Sequence, residues 1–203
     1  LKPNREALSL STVRLVPAGH ILGSAQIVIE HGGQRAVVSG DYKRRSDPTC
    51  AAFEPVTCDL FVTEATFGLP VFRHEPDGAE IAKLLASLAA FPERTHQIGV
   101  YGLGKCQRLI ALLRAAGYDA PVWLHGALRS MTDYYVARGI GLGDVRAVAD
   151  TKDSLAGGLV LCPPSALGGC WSQRFADPLT GFASGWMRIR GRARQRGVEL
   201  PLI

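Results

Sequence analysis

The hydrophobic pattern of this chain changes period at Pro76-Asp77-Gly78, and that change limits what it can fold into. Before it, residues 11–16, 26–30, 36–39 and 60–63 read as short strands with polar and apolar residues alternating. His31-Gly32-Gly33 marks a hairpin turn between the second and third of them. After it, helical stretches at 78–90, 105–116 and 127–138 alternate with strand-like runs at 97–101, 122–124, 158–162 and 181–183. Ile81, Leu84, Leu85 and Leu88 share one helix face, and Leu109, Leu112 and Leu113 share another. Gly117 and Gly139 sit where the second and third helices should stop, and Pro163-Pro164 ends a strand. Strands alternating with helices predict a parallel sheet with right-handed crossovers. The expected class is therefore α/β, preceded by a β-rich part.

A chain of 203 residues that is 47% hydrophobic can bury one sizeable core, or two small ones. No apolar run reaches the length of a membrane span, so no membrane partner is expected. No secretory signal is visible, although the sequence starts at Leu1 rather than Met. The five cysteines, Cys50, Cys58, Cys106, Cys162 and Cys170, are odd in number and contain no CxxC pair. That argues against a disulfide framework or a thiolate zinc site, and for a reducing, cytoplasmic setting. The net charge of +5 is unevenly spread. Lys43, Arg44 and Arg45 form one basic cluster, and Arg188, Arg190, Arg192, Arg194 and Arg196 a second. Such clusters suit either a polyanion or a solvated surface.

Three segments carry chemistry. Pro17-Ala18-Gly19-His20-Ile21-Leu22-Gly23-Ser24-Ala25 places a histidine between glycines on a turn, and neutral imidazole is a good ligand for zinc-like metals. Ser39-Gly40-Asp41-Tyr42 places a carboxylate at a strand end, where it can bind one metal or bridge two. Thr63-Glu64-Ala65-Thr66-Phe67-Gly68 again puts an acid at a strand end. Each segment alone has an ordinary alternative, as a loop histidine, a cap or a turn residue.

Their order and spacing resemble the β-CASP branch of the metallo-β-lactamase superfamily, nearest to the bacterial ligase-associated DNA exonuclease, or mRNA 3′-end processing factor-like, group. PAGHILGSAQ, VSGDYKR, DPTCAAFEPVTCD, FVTEATFGLP, GLGKCQRL, HGA and FASGWM carry the resemblance, from about Val13 to Val198. It implies a partial αββα metallo-β-lactamase core over residues 1–73. A Rossmann-like β-CASP domain over 74–184 and a return to the core over 185–203 would follow. It implies that His20 and Asp41 are metal ligands, Asp41 bridging two zinc ions. Glu64 would sit beside them to orient a ligand or assist proton transfer. The implied activity is metal-dependent phosphodiester hydrolysis, as a DNA exonuclease in repair acting alongside an ATP-dependent DNA ligase. An RNA-processing nuclease of the same branch is the alternative, as is a non-catalytic nucleic-acid-binding fragment or half of a split enzyme.

The sequence also departs from that pattern. The HxHxDH motif and the later SDHADW-like segment, which supply other ligands, are absent. One histidine and one aspartate cannot fill two metal shells. The core is thus expected to be incomplete at both ends, and metal binding weak. Gly99-Val100-Tyr101-Gly102-Leu103-Gly104-Lys105-Cys106 fits a phosphate loop except that Cys106 stands where the magnesium-binding hydroxyl belongs. The expectation there is a helix start whose free amides and Lys105 contact a backbone phosphate, or a plain strand–helix turn. Lys43, Ser165, Ser184, Arg188 and Arg190 are further candidate nucleic-acid contacts, and Trp186 is expected in an interdomain core or stacked on a base. His125 is read as structural or cleft-lining, His31 as solvated, and His74 and His96 as polar-loop residues without a role.

Overall fold

A computed structural model describes residues 11–73 and 75–202. His74, the expected first residue of the second domain, lies outside the described residues, as do the first ten residues of the expected core. The chain divides into two compact units, Leu1–Ala65 and Thr66–Ile203.

The first unit is a four-stranded sheet in the order β1-β2-β3-β4. Its strands are β1 (Thr12–Pro17), β2 (Ala25–His31), β3 (Gln34–Val38) and β4 (Leu60–Val62). The first two pairings are antiparallel and β3–β4 is parallel. Gly32 and Gly33 both have positive φ, the backbone a tight two-residue hairpin needs. Period-two alternation sends Val16, Val28 and Val37 to one face, where Val56 and Cys58 pack on them.

The opposite face is also apolar. Cross-strand register aligns Val13, Ile29, Ala36 and Leu60 in one row and Leu15, Ile27, Val38 and Val62 in the next. Six of these eight are exposed by 37 to 69%. A contiguous apolar sheet face marks an interaction surface rather than ordinary solvent-facing sheet. Replacing Leu15 and Ile27 together by threonine is expected to reduce self-association in sedimentation velocity while keeping β propensity. A wild-type chain that stays monomeric at high concentration would contradict this.

In the second unit, strands and helices alternate. The order is α1 (Asp77–Ala90), β5 (His96–Gly99), α2 (Lys105–Ala115), β6 (Val122–Leu124), α3 (Gly126–Ala137) and β7 (Val145–Ala147). Then come β8 (Leu159–Cys162), β9 (Leu179–Ala183), α4 (Arg190–Arg196) and β10 (Leu200–Leu202). The sheet is parallel throughout, in the order β10-β9-β5-β8-β6-β7. β5 and β8 are buried along their whole length, as strands covered on both faces should be. Ile81 and Leu84 point α1 into the core, with Leu85 and Leu88 at its margin. The expected α/β class with a parallel sheet is thus the observed one.

Three local expectations change. His96 is not in a polar loop; it opens β5 and is fully buried. Its ring bonds Ser87 Oγ at 2.9 Å, and Nδ1 lies 3.3 Å from the Arg94 carbonyl. Those partners let a polar ring occupy a core strand, and burial pushes its pKa down toward the neutral form. The edge strands β7 and β10 are not read from the sequence, because Arg146 and Pro201 interrupt their short apolar runs. Trp186 packs against Phe67 and Phe72, at 5.2 and 5.5 Å between ring centroids, inside the second unit. No helix among the described residues is long and apolar enough to cross a membrane.

Candidate functional site

The loop between β1 and β2 is held rigidly. The Ala18 N–H donates to the Ser24 carbonyl at 3.0 Å, and the Ser24 N–H to Ile21 at 3.0 Å. Ser24 Oγ then accepts from the amides of both His20 (3.0 Å) and Ile21 (3.2 Å). One hydroxyl therefore fixes the backbone that carries His20. A second segment, residues 40–54, is laid against this loop. Lys43 N–H donates to the Ala18 carbonyl at 3.0 Å and Glu54 N–H to Pro17 at 3.1 Å. The buried Gln26 side chain donates to both Pro17 (3.1 Å) and Glu54 (2.8 Å).

Gly19 lies at the closest approach. Its φ is +70°, and a Cβ there would stand 2.5 Å from the Lys43 carbonyl oxygen and 2.7 Å from the Phe53 nitrogen. Only glycine lets these backbones meet. On the other side, Ser39 follows β3 with its N–H bonded to the Val62 carbonyl at 2.9 Å. Gly40 then turns the chain at positive φ, and Asp41 follows.

These two turns bring His20 and Asp41 together. His20 Nε2 lies 3.8 Å from Asp41 Oδ2, with 42% and 73% of the side chains exposed. That is too long for a hydrogen bond. It is a separation one ion can bridge, since zinc–nitrogen and zinc–oxygen bonds are each about 2.0–2.2 Å. The donor types, imidazole nitrogen and carboxylate oxygen, suit zinc. Their number does not: a zinc site takes three or four protein ligands. Among the described residues no group of three His, Cys, Asp or Glu side chains could hold an ion. Glu64 lies two residues beyond β4, half-buried, and does not join the pair in such a group. The described residues thus bring one imidazole and one carboxylate together and do not complete a metal site.

The 40–54 segment also carries a buried carboxylate the sequence did not single out. Asp47, 2% exposed at its side chain, is ion-paired to Lys43. It also accepts from the Thr49 amide at 2.9 Å and hydroxyl at 2.6 Å. Burial pushes its pKa up, but the bonds from Lys43 and Thr49 outweigh burial and leave it below the usual value. Asp47-Pro48-Thr49 is an Asx-turn signature, so a signal was present. Lys43, expected to contact nucleic acid, spends its ammonium on this pair.

In the second unit the amides expected to be free at the start of α2 are taken. Gly104 N–H donates to Gln107 Oε1 at 2.9 Å, Lys105 N–H to Leu103 at 2.9 Å, and Cys106 N–H to Tyr101 at 3.0 Å. Glutamine at the third helix position folds back on the preceding residue and closes the end. Burial pushes the Cys106 thiol up to about 12, an inert core residue. Lys105 itself is half-buried at the first position of α2. Ser165 is exposed in a single turn at Pro164–Ala166. Ser184 is buried, and its hydroxyl accepts from the Trp186 amide at 3.4 Å to cap the turn Gly185–Arg188. Arg188 is half-buried and Arg190 exposed. His125 caps α3 by accepting from Ala127 N–H at 3.0 Å and packs edge-on against Trp171, the structural role. Burial, then the charge of Arg174, pushes its pKa down. His31 is exposed and shares a 2.9 Å hydrogen bond with Ser11 Oγ.

No family model matches the chain. It is 32% identical over 181 residues to a protein named "Probable DNA ligase" from Opitutus terrae, covering 86% of this chain and 17% of that one. It is 31% identical over 112 residues to the endoribonuclease YSH1 of Gibberella zeae, covering 52% of this chain and 13% of that one. The chain thus spans less than a fifth of the length of these curated relatives. A solved Enterococcus faecalis protein of unknown function has a similar fold, with TM-score 0.52 and 11% identity, over 95% of this chain and 52% of that one.

Proposed function

We propose that this chain, a homologue at modest identity of the metallo-β-lactamase-fold β-CASP nucleases and related to their ligase-associated group, contributes to metal-dependent hydrolysis of nucleic-acid phosphodiesters. The observation that carries this is the approach of His20 and Asp41 to 3.8 Å on two turns braced against each other. In this reading the pair supplies two ligands, with zinc the metal that suits them, and Glu64 orients the shell from the end of β4. The remaining ligands come from polypeptide beyond the described residues. The apolar outer face of the first sheet supports that view, because a face of this kind belongs inside a larger core.

The ligase-named relative favours DNA as the substrate, and in our reading the activity is that of a repair exonuclease working beside a ligase in a cytoplasmic setting. The endoribonuclease relative favours RNA, and this second reading rests on that name. A non-catalytic nucleic-acid-binding fragment, or half of a split enzyme, is the competing class. It is favoured by the shortage of ligands among the described residues.

The test compares zinc content and cleavage of end-labelled DNA and RNA for the chain alone and for the chain joined to polypeptide that carries an HxHxDH motif. Activity and stoichiometric zinc are expected only in the second. There, His20→Ala with Asp41→Ala should lower both, cleavage by at least about 10²-fold, the upper range for losing even an outer-shell partner. Undiminished cleavage in the double variant would remove the metal-site assignment.

A further inference from the structure

Four of the five arginines of the second basic cluster, Arg190, Arg192, Arg194 and Arg196, lie on α4, and the structure divides them into two sets. Arg192 lies over the Trp186 ring, 4.3 Å from the centroid, and Arg196 over the Phe182 ring at 5.1 Å. Those rings belong to the turn Gly185–Arg188 and to β9. The two guanidinium groups, four residues apart, therefore lie along one side of α4 and fasten it to the sheet. Arg190 and Arg194 are also four residues apart, and helical geometry puts them on the opposite side; all four arginines are exposed, so the ring contacts and not burial separate the two pairs. Among the described residues none of the arginines at 188, 190, 192, 194 and 196 is paired with a carboxylate.

This arrangement is poor for stability alone. Like charges four residues apart repel along a helix of only seven residues, and no acid lies within it. A seven-residue helix also has little intrinsic stability, so its place depends on the two ring contacts. A polyanion along the outer side would relieve that repulsion. Arg190 and Arg194 are about 6 Å apart along the axis, comparable to successive phosphates of an extended strand. Arginine suits this role because its planar fork meets phosphate oxygens two at a time.

We infer that α4 is a phosphate-tracking element for a single-stranded nucleic acid: Arg190 and Arg194 contact successive backbone phosphates, and Arg192 and Arg196 are positioning residues that hold the helix by stacking on Trp186 and Phe182. The inference rests on the nucleic-acid reading above and adds which residues meet the strand. It makes Arg194 a contact, and it takes Arg192 and Arg196 out of direct contact.

The test is fluorescence anisotropy of a labelled single-stranded oligothymidylate with the full chain in EDTA, across a salt series. EDTA makes binding independent of the metal reading, so failure of one is distinguishable from failure of the other. Arg190→Ala with Arg194→Ala is expected to weaken binding about tenfold at low salt. It should also lower the salt slope by about 1.4, roughly 0.7 for each phosphate on a single strand. Arg73→Ala with Arg138→Ala removes the same charge from other exposed positions and should change affinity less than twofold. Arg192→Lys keeps the charge but loses the flat stack, and should weaken binding several-fold with a changed Trp fluorescence. Equal losses in the two double variants, or an Arg192→Lys variant indistinguishable from wild type, would overturn the assignment. So would binding to phosphatidylserine vesicles without binding to the oligonucleotide.

Discussion

Replacing Gly19 by alanine is expected to destabilise the first unit by about 3 kcal/mol or more, clearly more than the same change at Gly23. Both residues have positive φ, +70° and +80°. A non-glycine residue held there costs about 1–3 kcal/mol. At Gly23 that strain is the whole effect, because an added Cβ meets nothing within 4 Å. At Gly19 the new methyl group overlaps the Lys43 carbonyl and the Phe53 nitrogen, which are backbone atoms and cannot swing aside. The 18–24 loop and the 40–54 segment must separate to admit it. Separation breaks the bonds from Lys43 to Ala18 and from Glu54 to Pro17, and it takes His20 away from Asp41. Urea unfolding of the two variants checks this. Equal losses at the two positions would show that strain alone matters and that the packing of the two segments does not.

That dependence explains which parts of the fold were legible in the sequence. Alternation and helical spacing are local, so they placed β1 to β6, β8 and β9 and the three long helices. Gly117 and Gly139, both at positive φ, mark helix ends where expected. β7 and β10 could not be read, because Arg146 and Pro201 interrupt their three residues, whereas the equally short β4 and β6 are wholly apolar; both are defined by the neighbour they join. His96 misled because a polar ring looks like loop material until Ser87 and Arg94 supply its hydrogen bonds. Both partners come from sequence neighbours, but only the fold shows that the site is dry.

The candidate pair was legible in a different way. His20 and Asp41 are ordinary residues at turns, and nothing local says that they meet. Family resemblance named them, and the structure supplied the distance. The bracing residues were not named by either route: Ser24, Gln26 and Asp47 act through backbone bonds to segments up to 28 residues away. The charge clusters show the same limit. Lys43 and Arg192 look like surface charges in sequence, and the fold commits one to a buried carboxylate and the other to a tryptophan ring.

Asp47→Asn is the second change expected to have a large effect, because it keeps the shape and removes the charge. The amide oxygen can still accept from Thr49, but an amide N–H₂ facing Lys43 leaves the ammonium without its partner. Breaking a buried pair from one side costs about 3–5 kcal/mol when both groups are dry. Lys43 keeps 21% exposure, so about 2–3 kcal/mol is expected at pH 7. The effect should depend on pH in one direction. The Asp47 pKa is lowered in the folded state, so its contribution is fully present above the unfolded value of about 3.9. It is lost as pH falls through the folded value, where protons bind the unfolded chain first. The stability gap between wild type and variant should therefore be constant from pH 7 to about 5 and narrow below about 4. Urea unfolding at pH 7, 5 and 3.5 measures it. A gap that stays constant to pH 3.5 would mean that the hydrogen bonds, not the charge, hold the 40–54 segment. Because Asp41 rides on that segment, zinc affinity in a completed site should fall with the stability at pH 7. A variant that loses stability but keeps wild-type zinc affinity would separate the brace from the site it was inferred to support.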